Sequence, residues 1–292
     1  MHTGSVFFRR SDLLKSGWTD RSLKAAVRDG RLLRARAGVY LEPDAPHDIV
    51  EACRLGGRLA CTSALIQRGI FALDRGTLHV HLPVNSSRLR PLARSVRRHW
   101  GELHRTPDPR SACVELFDAL VQAVRCQPAR AAVATLDSAI NMGALDPGDI
   151  DELFRVLPGR YGVIRPLLDG RCQSGPESLI RLMLRSLGVP FEVQKRIPGV
   201  GIVDFLVDGW LTIECDSRAH HSSWDAQRRD RRRDQSAAQL GLATFRPIAE
   251  DIMWDPGVVL AALRGLLSHR PSRIQENARF QTASRRPPRR VS

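Results

Sequence analysis

The sequence predicts an α/β protein of the α+β kind, and three observations carry that expectation. Two short capped helices lead into a basic alternating stretch that ends at Tyr40. Helical stripes interrupted by one short strand follow, and residues 174–268 then read as helix, hairpin, helix, strand, helix. At 292 residues the chain exceeds one typical domain. We divide it into an N-terminal part at 1–45, a mixed α/β middle region at 46–173, a C-terminal domain with a mixed sheet flanked by helices at 174–268, and a disordered basic tail at 269–292.

Composition narrows the function classes. The chain is 42% hydrophobic and 26% charged, which is ordinary for a globular protein, and no window approaches the eighteen uninterrupted apolar residues that a membrane span requires. The start, MHTGSVFFRRSDLL, lacks the apolar core of a secretory signal, so a cytoplasmic protein with no membrane partner is expected. Cys53, Cys61, Cys113, Cys126, Cys172 and Cys215 contain no CxxC pair and read as buried reduced thiols, suggesting neither a zinc knuckle nor a disulfide framework. The net charge of +14 points to a polyanion, with DNA the expected partner. Seven arginines against one glutamate after residue 267 account for +6 of it. The remaining +8 still favours a nucleic-acid partner over simple arginine enrichment.

In the N-terminal part, Ser11 is expected to cap a helix through Ser16, and Thr19 a second helix with the stripe Leu23, Ala26 and Val27, stopped by Gly30. The stretch RLLRARAGVYL then alternates and turns at Gly38, a two-stranded wing presenting Arg31, Arg34 and Arg36 to phosphates. This is the pattern of a small winged helix-turn-helix. With Gly38, Val39 and Tyr40 closing the wing, residues 8–42 resemble the N-terminal domain of AbiEi-type antitoxins, which implies DNA binding and a toxin or defence-system partner protein. A helical hairpin and strand pair that merely packs on the next domain is the structural alternative.

The middle region predicts a short helix from Thr62 or Ser63 to Gln67, a strand at TLHVHLP, a helix from Ser111 to Arg125 with Val114, Phe117, Val121 and Val124 on one face, and helices near 128–141 and from Pro147. His79 and His81 share a strand face. Without a third ligand in view, a solvated face is the favoured reading over a metal pair.

The last domain carries the chemistry. A helix from Ser174 to Gly188 turns Ile180, Met183, Leu184 and Leu187 inward, and Glu177 falls on that same face in the first turn. In GIVDFLVDGWLTIECDSRAHH two strands join near Asp208 and Gly209, with Asp204 in the first and Glu214 and Asp216 in the second. Alternation puts Glu214 and Asp216 on one face, where they can offer oxygens to a hard cation. Register decides whether Asp204 joins them. A two-residue loop pairs Asp204 with Ile213 and turns it away, whereas a three-residue loop through Trp210, or a bulge, sets Asp204 opposite Glu214. The second register is the one expected. Next come His220 and His221, and a helix from Ser222 or Ser223 bearing Arg228, Arg229, Arg231, Arg232 and Arg233. Gly241 ends that helix, LATFRP forms a strand, and Asp255 with Pro256 opens a last helix to about Leu267.

In this order and spacing the motifs resemble the very-short-patch-repair (Vsr) endonuclease-like branch of the PD-(D/E)XK restriction-endonuclease-like superfamily. The resemblance covers residues 174–268 and implies a Mg²⁺- or Mn²⁺-dependent DNA endonuclease or nicking hydrolase, in repair or phage defence. It implies metal ligation by Asp204, Glu214 and Asp216, a catalytic set of these three with Glu177 and His220, and phosphate contacts from Arg232 or Arg233 and from Arg246, to which the endonuclease reading adds Arg228. Ser217 replaces the family glycine, and Asp216 stands where the wider superfamily has lysine, which leaves His220 or a metal-bound water as base. The competing expectation is a non-enzymatic DNA-binding regulator or AbiEi-type antitoxin with a degenerate nuclease domain.

Overall fold

A computed structural model describes residues 7–84, 86, 94–215 and 224–269. Asp216, Ser217, His220, His221 and nearly all of the basic tail lie outside them. The chain forms two compact units, residues 1–168 and 169–292. Helices accompany three separate sheets among the described residues, a mixed α/β architecture of the predicted class. No helix among them is long and apolar enough to cross a membrane.

The first unit opens with β1 (Phe7–Arg9), α1 (Arg10–Lys15), α2 (Asp20–Arg28), β2 (Leu33–Arg36) and β3 (Val39–Leu41). Thr19 caps α2 as expected: Ser22 N–H donates to Thr19 Oγ1 at 3.1 Å, and Thr19 N–H donates to Ser22 Oγ at 2.8 Å. Helix α1 begins two residues earlier than the Ser11 cap allowed, with Arg9 at its N-cap and no side-chain cap. The chain turns at Gly38, whose φ of +75° favours glycine. β3 is flanked by β2 and, unexpectedly, by β1, giving the antiparallel order β1-β3-β2. Leu13, Leu23 and Tyr40 form a small core with Trp18 and Leu32 packed on it.

Next come α3 (His47–Leu55), β4 (Arg58–Leu59), α4 (Cys61–Ile66), β5 (Leu78–His81), β6 (Val96–His99), α5 (Leu116–Cys126), α6 (Ala129–Asn141) and α7 (Pro147–Val156), with a 3₁₀ segment at Gly159–Leu167. β5 is central, antiparallel to β4 and parallel to β6. All four of its residues are buried, which corrects the solvated-face reading of His79 and His81. The helix expected from Ser111 starts only at Leu116. Residues before it run along β4 instead, with Leu59 N–H donating to Ala112 O and Val114 N–H to Leu59 O, so Val114 reaches the core from an extended segment.

The second unit contains α8 (Gly175–Leu187), β7 (Phe191–Ile197), β8 (Gly201–Val207), β9 (Leu211–Ile213), α9 (Trp224–Gln239), β10 (Ala243–Phe245), α10 (Ala249–Trp254) and α11 (Pro256–Ser268). Its sheet has the order β10-β9-β8-β7. The first three strands in sequence form an antiparallel meander, and β10 joins β9 in parallel after the α9 crossover. Sequence patterning missed β7, because FEVQKRI mixes both polarities on its two half-buried faces. Ile197, Val200, Val203 and Leu206 of the sheet layer pack with Ala237 and Leu242.

Candidate functional site

The hairpin register fixes the site. Phe205 pairs with Ile213 and Val207 with Leu211 across β8 and β9, so the loop is Asp208–Trp210 and Asp204 falls opposite Glu214, the register expected from the sequence. Asp208 and Gly209 make the turn at φ +52° and +75°. On the other side of β8, Val193 pairs with Phe205 and Lys195 with Val203, which sets Gln194 opposite Asp204. β9 and β10 run in register with Ile213 beside Phe245, and Glu214 N–H donates to Phe245 O at 3.1 Å. The next step in register brings Arg246 beside Glu214. One polar row, Gln194, Asp204, Glu214 and Arg246, therefore crosses all four strands.

Two helices complete this row. Ser174 caps α8 by accepting from Glu177 N–H at 3.3 Å, and Glu177 Oε2 accepts from Gln173 N–H at 2.9 Å. The same oxygen accepts from Gln194 Nε2 at 2.9 Å, and Gln194 also donates to Asp204 Oδ1 at 3.3 Å. Glu177 is thus both the first-turn acid of its helix and a neighbour of Asp204. Asp204 Oδ2 accepts from Cys215 N–H at 2.7 Å, which ties the end of β9 back to β8. From α9, Arg233 donates to Val200 O at 3.2 Å, Ile202 O at 2.6 Å and Glu214 Oε1 at 3.0 Å. Arg246 sits 2.7 Å from Glu214 Oε2 and donates to Asp234 at 2.8 Å.

Burial sets the electrostatics. It pushes Glu177 above the usual carboxylate range, with the charge of Asp204 adding to the effect. Burial also raises Asp204 against the hydrogen bonds from Cys215 N–H and Gln194, and raises Glu214 against the guanidiniums of Arg246 and Arg233. A row of carboxylates that resist ionisation is one that a cation would stabilise.

The sequence-derived residues separate accordingly. Glu177, Asp204 and Glu214 come together, while Asp216 and His220 lie outside the described residues. Arg233 and Arg246 are engaged with Glu214, whereas Arg228 and Arg232 are exposed on α9. In the first unit Arg31, Arg34 and Arg36 are exposed, with Arg31 lying 3.5 Å from Asp29. Arg36 also lines a cavity of about 720 Å³ with Arg9, Arg10, Arg58 and His81. The guanidinium of Arg58 is over the Phe7 ring at 5.2 Å, and burial lowers its pKa.

Sequence patterning gave no sign of Gln194, whose strand was not recognised. It also missed a second grouping. Among the described residues, the sets of three or more ligand-type side chains with donor atoms within 4.8 Å of one another are Cys61, His79, His99 and Cys126, and His47, Asp48 and Glu51. His79 does have further potential ligands beside it, against the sequence reading, whereas His81 lies apart with Gln122 Nε2 3.3 Å from its Nδ1.

No family model matches the chain. It is similar to two mycobacterial proteins, "Uncharacterized protein MT2308" of Mycobacterium tuberculosis (strain CDC 1551 / Oshkosh) and "Uncharacterized protein Rv2248" of Mycobacterium tuberculosis (strain ATCC 25618 / H37Rv). Each is 27% identical over 262 residues, covering 84% of this chain and 96% of the relative.

Proposed function

We propose that the second unit is a divalent-cation-dependent DNA endonuclease or nicking enzyme of the Vsr-like kind, with the site at Asp204, Glu214 and Glu177. The observation that carries this reading is Asp204 opposite Glu214 on adjacent strands, with Glu177 linked to Asp204 through Gln194. Oxygen donors of this type fit a hard cation, and a bound cation would offset the burial that raises the pKa of Glu177 and Asp204. Mg²⁺ or Mn²⁺ would be held by Asp204 and Glu214, with Asp216 as a further ligand on the strength of the resemblance. A bound ion of this kind polarises a phosphoryl oxygen and lowers the pKa of coordinated water.

The chain's own residues then have separable tasks. Gln194 fixes the relative positions of Glu177 and Asp204. Arg233 and Arg246 balance the charge of Glu214 and set its rotamer, and exposed Arg228 and Arg232 supply cations for the DNA backbone. His220 takes the general-base role that the resemblance implies. In the first unit, the paired short helices and the β1-β3-β2 sheet support a winged-helix reading. Arg34, Arg36 and the arginine-lined cavity support DNA contact there.

A second reading has its own observation. Both carboxylate oxygens of Glu214 are taken by guanidiniums, as suits a nuclease scaffold retained in a DNA-binding regulator or AbiEi-type antitoxin with a toxin or defence-system partner. Purified full-length protein incubated with supercoiled plasmid and Mg²⁺ or Mn²⁺, beside an EDTA control, decides between them. The enzyme reading expects metal-dependent nicking that falls at least ~100-fold in Asp204→Ala and Glu214→Ala with DNA binding kept. A parent protein that binds DNA and never nicks it supports the regulator.

A further inference from the structure

The first unit gathers two thiols and two imidazoles from four separate elements. Cys61 begins α4, His79 lies on β5, His99 ends β6, and Cys126 ends α5. Their donor atoms all lie within 4.8 Å of one another, and His79 Nδ1 stands 3.0 Å from His99 Nε2. We propose that these four side chains form a closed tetrahedral Cys₂His₂ site for Zn²⁺ that holds the first unit together.

Three further observations point to an ion at their centre. The Cys61 backbone is held at φ +50°, a left-handed conformation unusual for a residue other than glycine, asparagine or aspartate. That conformation is fixed in place by Cys61 N–H donating to Gln122 Oε1 at 3.1 Å. The far nitrogen of His79, Nε2, lies 3.3 Å from Asp74 Oδ2. Asp74 is itself anchored, accepting from Thr62 Oγ1 at 2.9 Å and from Gly76 and Thr77 N–H at 2.7 Å each. A carboxylate on the outer nitrogen selects the tautomer whose inner nitrogen carries a lone pair, which is how metal-binding histidines are usually oriented. Last, Arg97 donates to Cys126 Sγ at 3.6 Å, a contact that favours thiolate.

Charge and softness select the ion. Two thiolates and two neutral imidazoles offset the charge of one divalent ion, so the assembled site is neutral, which suits ligands as buried as Cys61 and His79. Sulfur and imidazole donors suit zinc rather than Mg²⁺ or Ca²⁺. Zinc–ligand bonds of about 2.0 to 2.3 Å place tetrahedral donors roughly 3.3 to 3.8 Å apart, so the observed 3.0 Å between ring nitrogens needs only a small adjustment. With four protein ligands no coordination position is left for water, and the ion is structural rather than catalytic. It would clamp the start of α4 and the end of α5 to the parallel pair β5 and β6.

The test uses the full-length chain without a histidine tag. Elemental analysis after purification without chelator should find about one zinc per chain, and replacement by Co²⁺ should give the visible bands and sulfur-to-metal charge-transfer bands of a tetrahedral thiolate site. Asp74→Asn should weaken zinc binding by about 10- to 100-fold while the chain stays folded. Cys126→Ser removes one of the two thiolates and should cut the charge-transfer intensity by about half or more; should that variant not fold, His99→Gln, at a half-buried position, leaves both thiolates and should instead lower zinc affinity at least ~10-fold. A strong chelator should lower the melting temperature of the parent chain. The proposal is overturned if folded parent protein takes up neither Zn²⁺ nor Co²⁺ with thiolate bands, if Cys126→Ser keeps the parent's band intensity and His99→Gln the parent's zinc affinity, or if mass mapping finds Cys61 and Cys126 joined as a disulfide. Because no nuclease assay enters, its failure is independent of the nuclease reading.

Discussion

Gln194 faces Asp204 across the β7–β8 ladder and shares one amide nitrogen between that carboxylate, at 3.3 Å, and Glu177, at 2.9 Å. The nitrogen is the direct link between the first turn of α8 and the centre of the sheet. Gln194 adopts φ +51° to make it, a conformation that costs about 1 kcal/mol or more in a non-glycine residue. Gln194→Gly should relieve that strain and also release both acids, so nicking should fall by ~10-fold or more while stability changes little. Parallel plasmid-nicking and thermal-melting measurements check this, and equal losses in both would argue against it.

Asp204→Asn should stabilise the protein at neutral pH. Burial raises the folded-state pKa of Asp204, so between the ordinary carboxylate value and the raised one the folded chain binds more protons than the unfolded chain. Stability from this group therefore falls as pH rises through that window. The asparagine removes the penalty and can still accept from Cys215 N–H. A gain of a few degrees in melting temperature at pH 7, the size that about 1 kcal/mol produces in a small unit, should shrink towards about pH 4, where the parent carboxyl is protonated. Differential melting of the two proteins across that range checks the sign.

Removing Arg233 should cost more stability than its partly exposed position suggests. Its guanidinium serves Val200 O, Ile202 O and Glu214 together, and Glu214 is only 14% exposed at its side chain. Arg233→Ala is expected to lose about 1 to 3 kcal/mol, below the figure for a fully buried pair because a third of the arginine side chain meets solvent. Arg233→Ala with Glu214→Gln should recover part of it, a coupling read in a double-mutant cycle of denaturant melts.

Asp118 organises the first unit in a comparable way. It is buried, and its two oxygens accept from His104 N–H at 2.7 Å and Arg105 N–H at 2.9 Å. Asp118→Ala leaves both backbone donors without this partner and should destabilise by about 2 to 3 kcal/mol. Thr19→Ala removes only a helix cap and should cost about 1 kcal/mol. Urea midpoints that rank the two in the opposite order would contradict this assignment.

The arginine-lined cavity should govern salt dependence. If Arg9, Arg36 and Arg58 meet DNA phosphates, each removed contact should reduce the slope of log affinity against log salt by about 0.9. Arg36→Ala is the cleanest of these substitutions because its side chain is exposed. Binding titrations across a series of salt concentrations, with an unchanged slope as the adverse result, provide the measurement.

Local patterns could be read directly. Thr19 as a helix cap, Pro147 after Asp146, Gly188 after an apolar stripe and the strand around Asp204 each express a preference that acts within a few residues, and each appears where expected. The hairpin register was half legible: the sequence allowed two, and the expected one, in which a three-residue loop or a bulge sets Asp204 opposite Glu214, is the one observed. Less legible was β7, whose Gln194 finds its partners in Glu177 of α8 and Asp204 of β8. The burial of His79 was hidden for a related reason: β5 lies between β4 and β6 in its sheet and packs against α3 and α4, an arrangement of whole elements that spacing within TLHVHLP does not encode.

By itself the sequence determined the mixed α/β class and the basic character, and it narrowed the hairpin to two registers of which one sets Asp204 opposite Glu214, because composition, turn residues and period-two alternation are short-range properties. Only the tertiary structure decided that Arg233 and Arg246 close on Glu214, that Gln194 joins Glu177 to Asp204, and that Cys61, His79, His99 and Cys126 meet. Each of those encounters brings together side chains far apart along the chain, and what selects them is the packing of whole elements, which spacing along the chain does not encode.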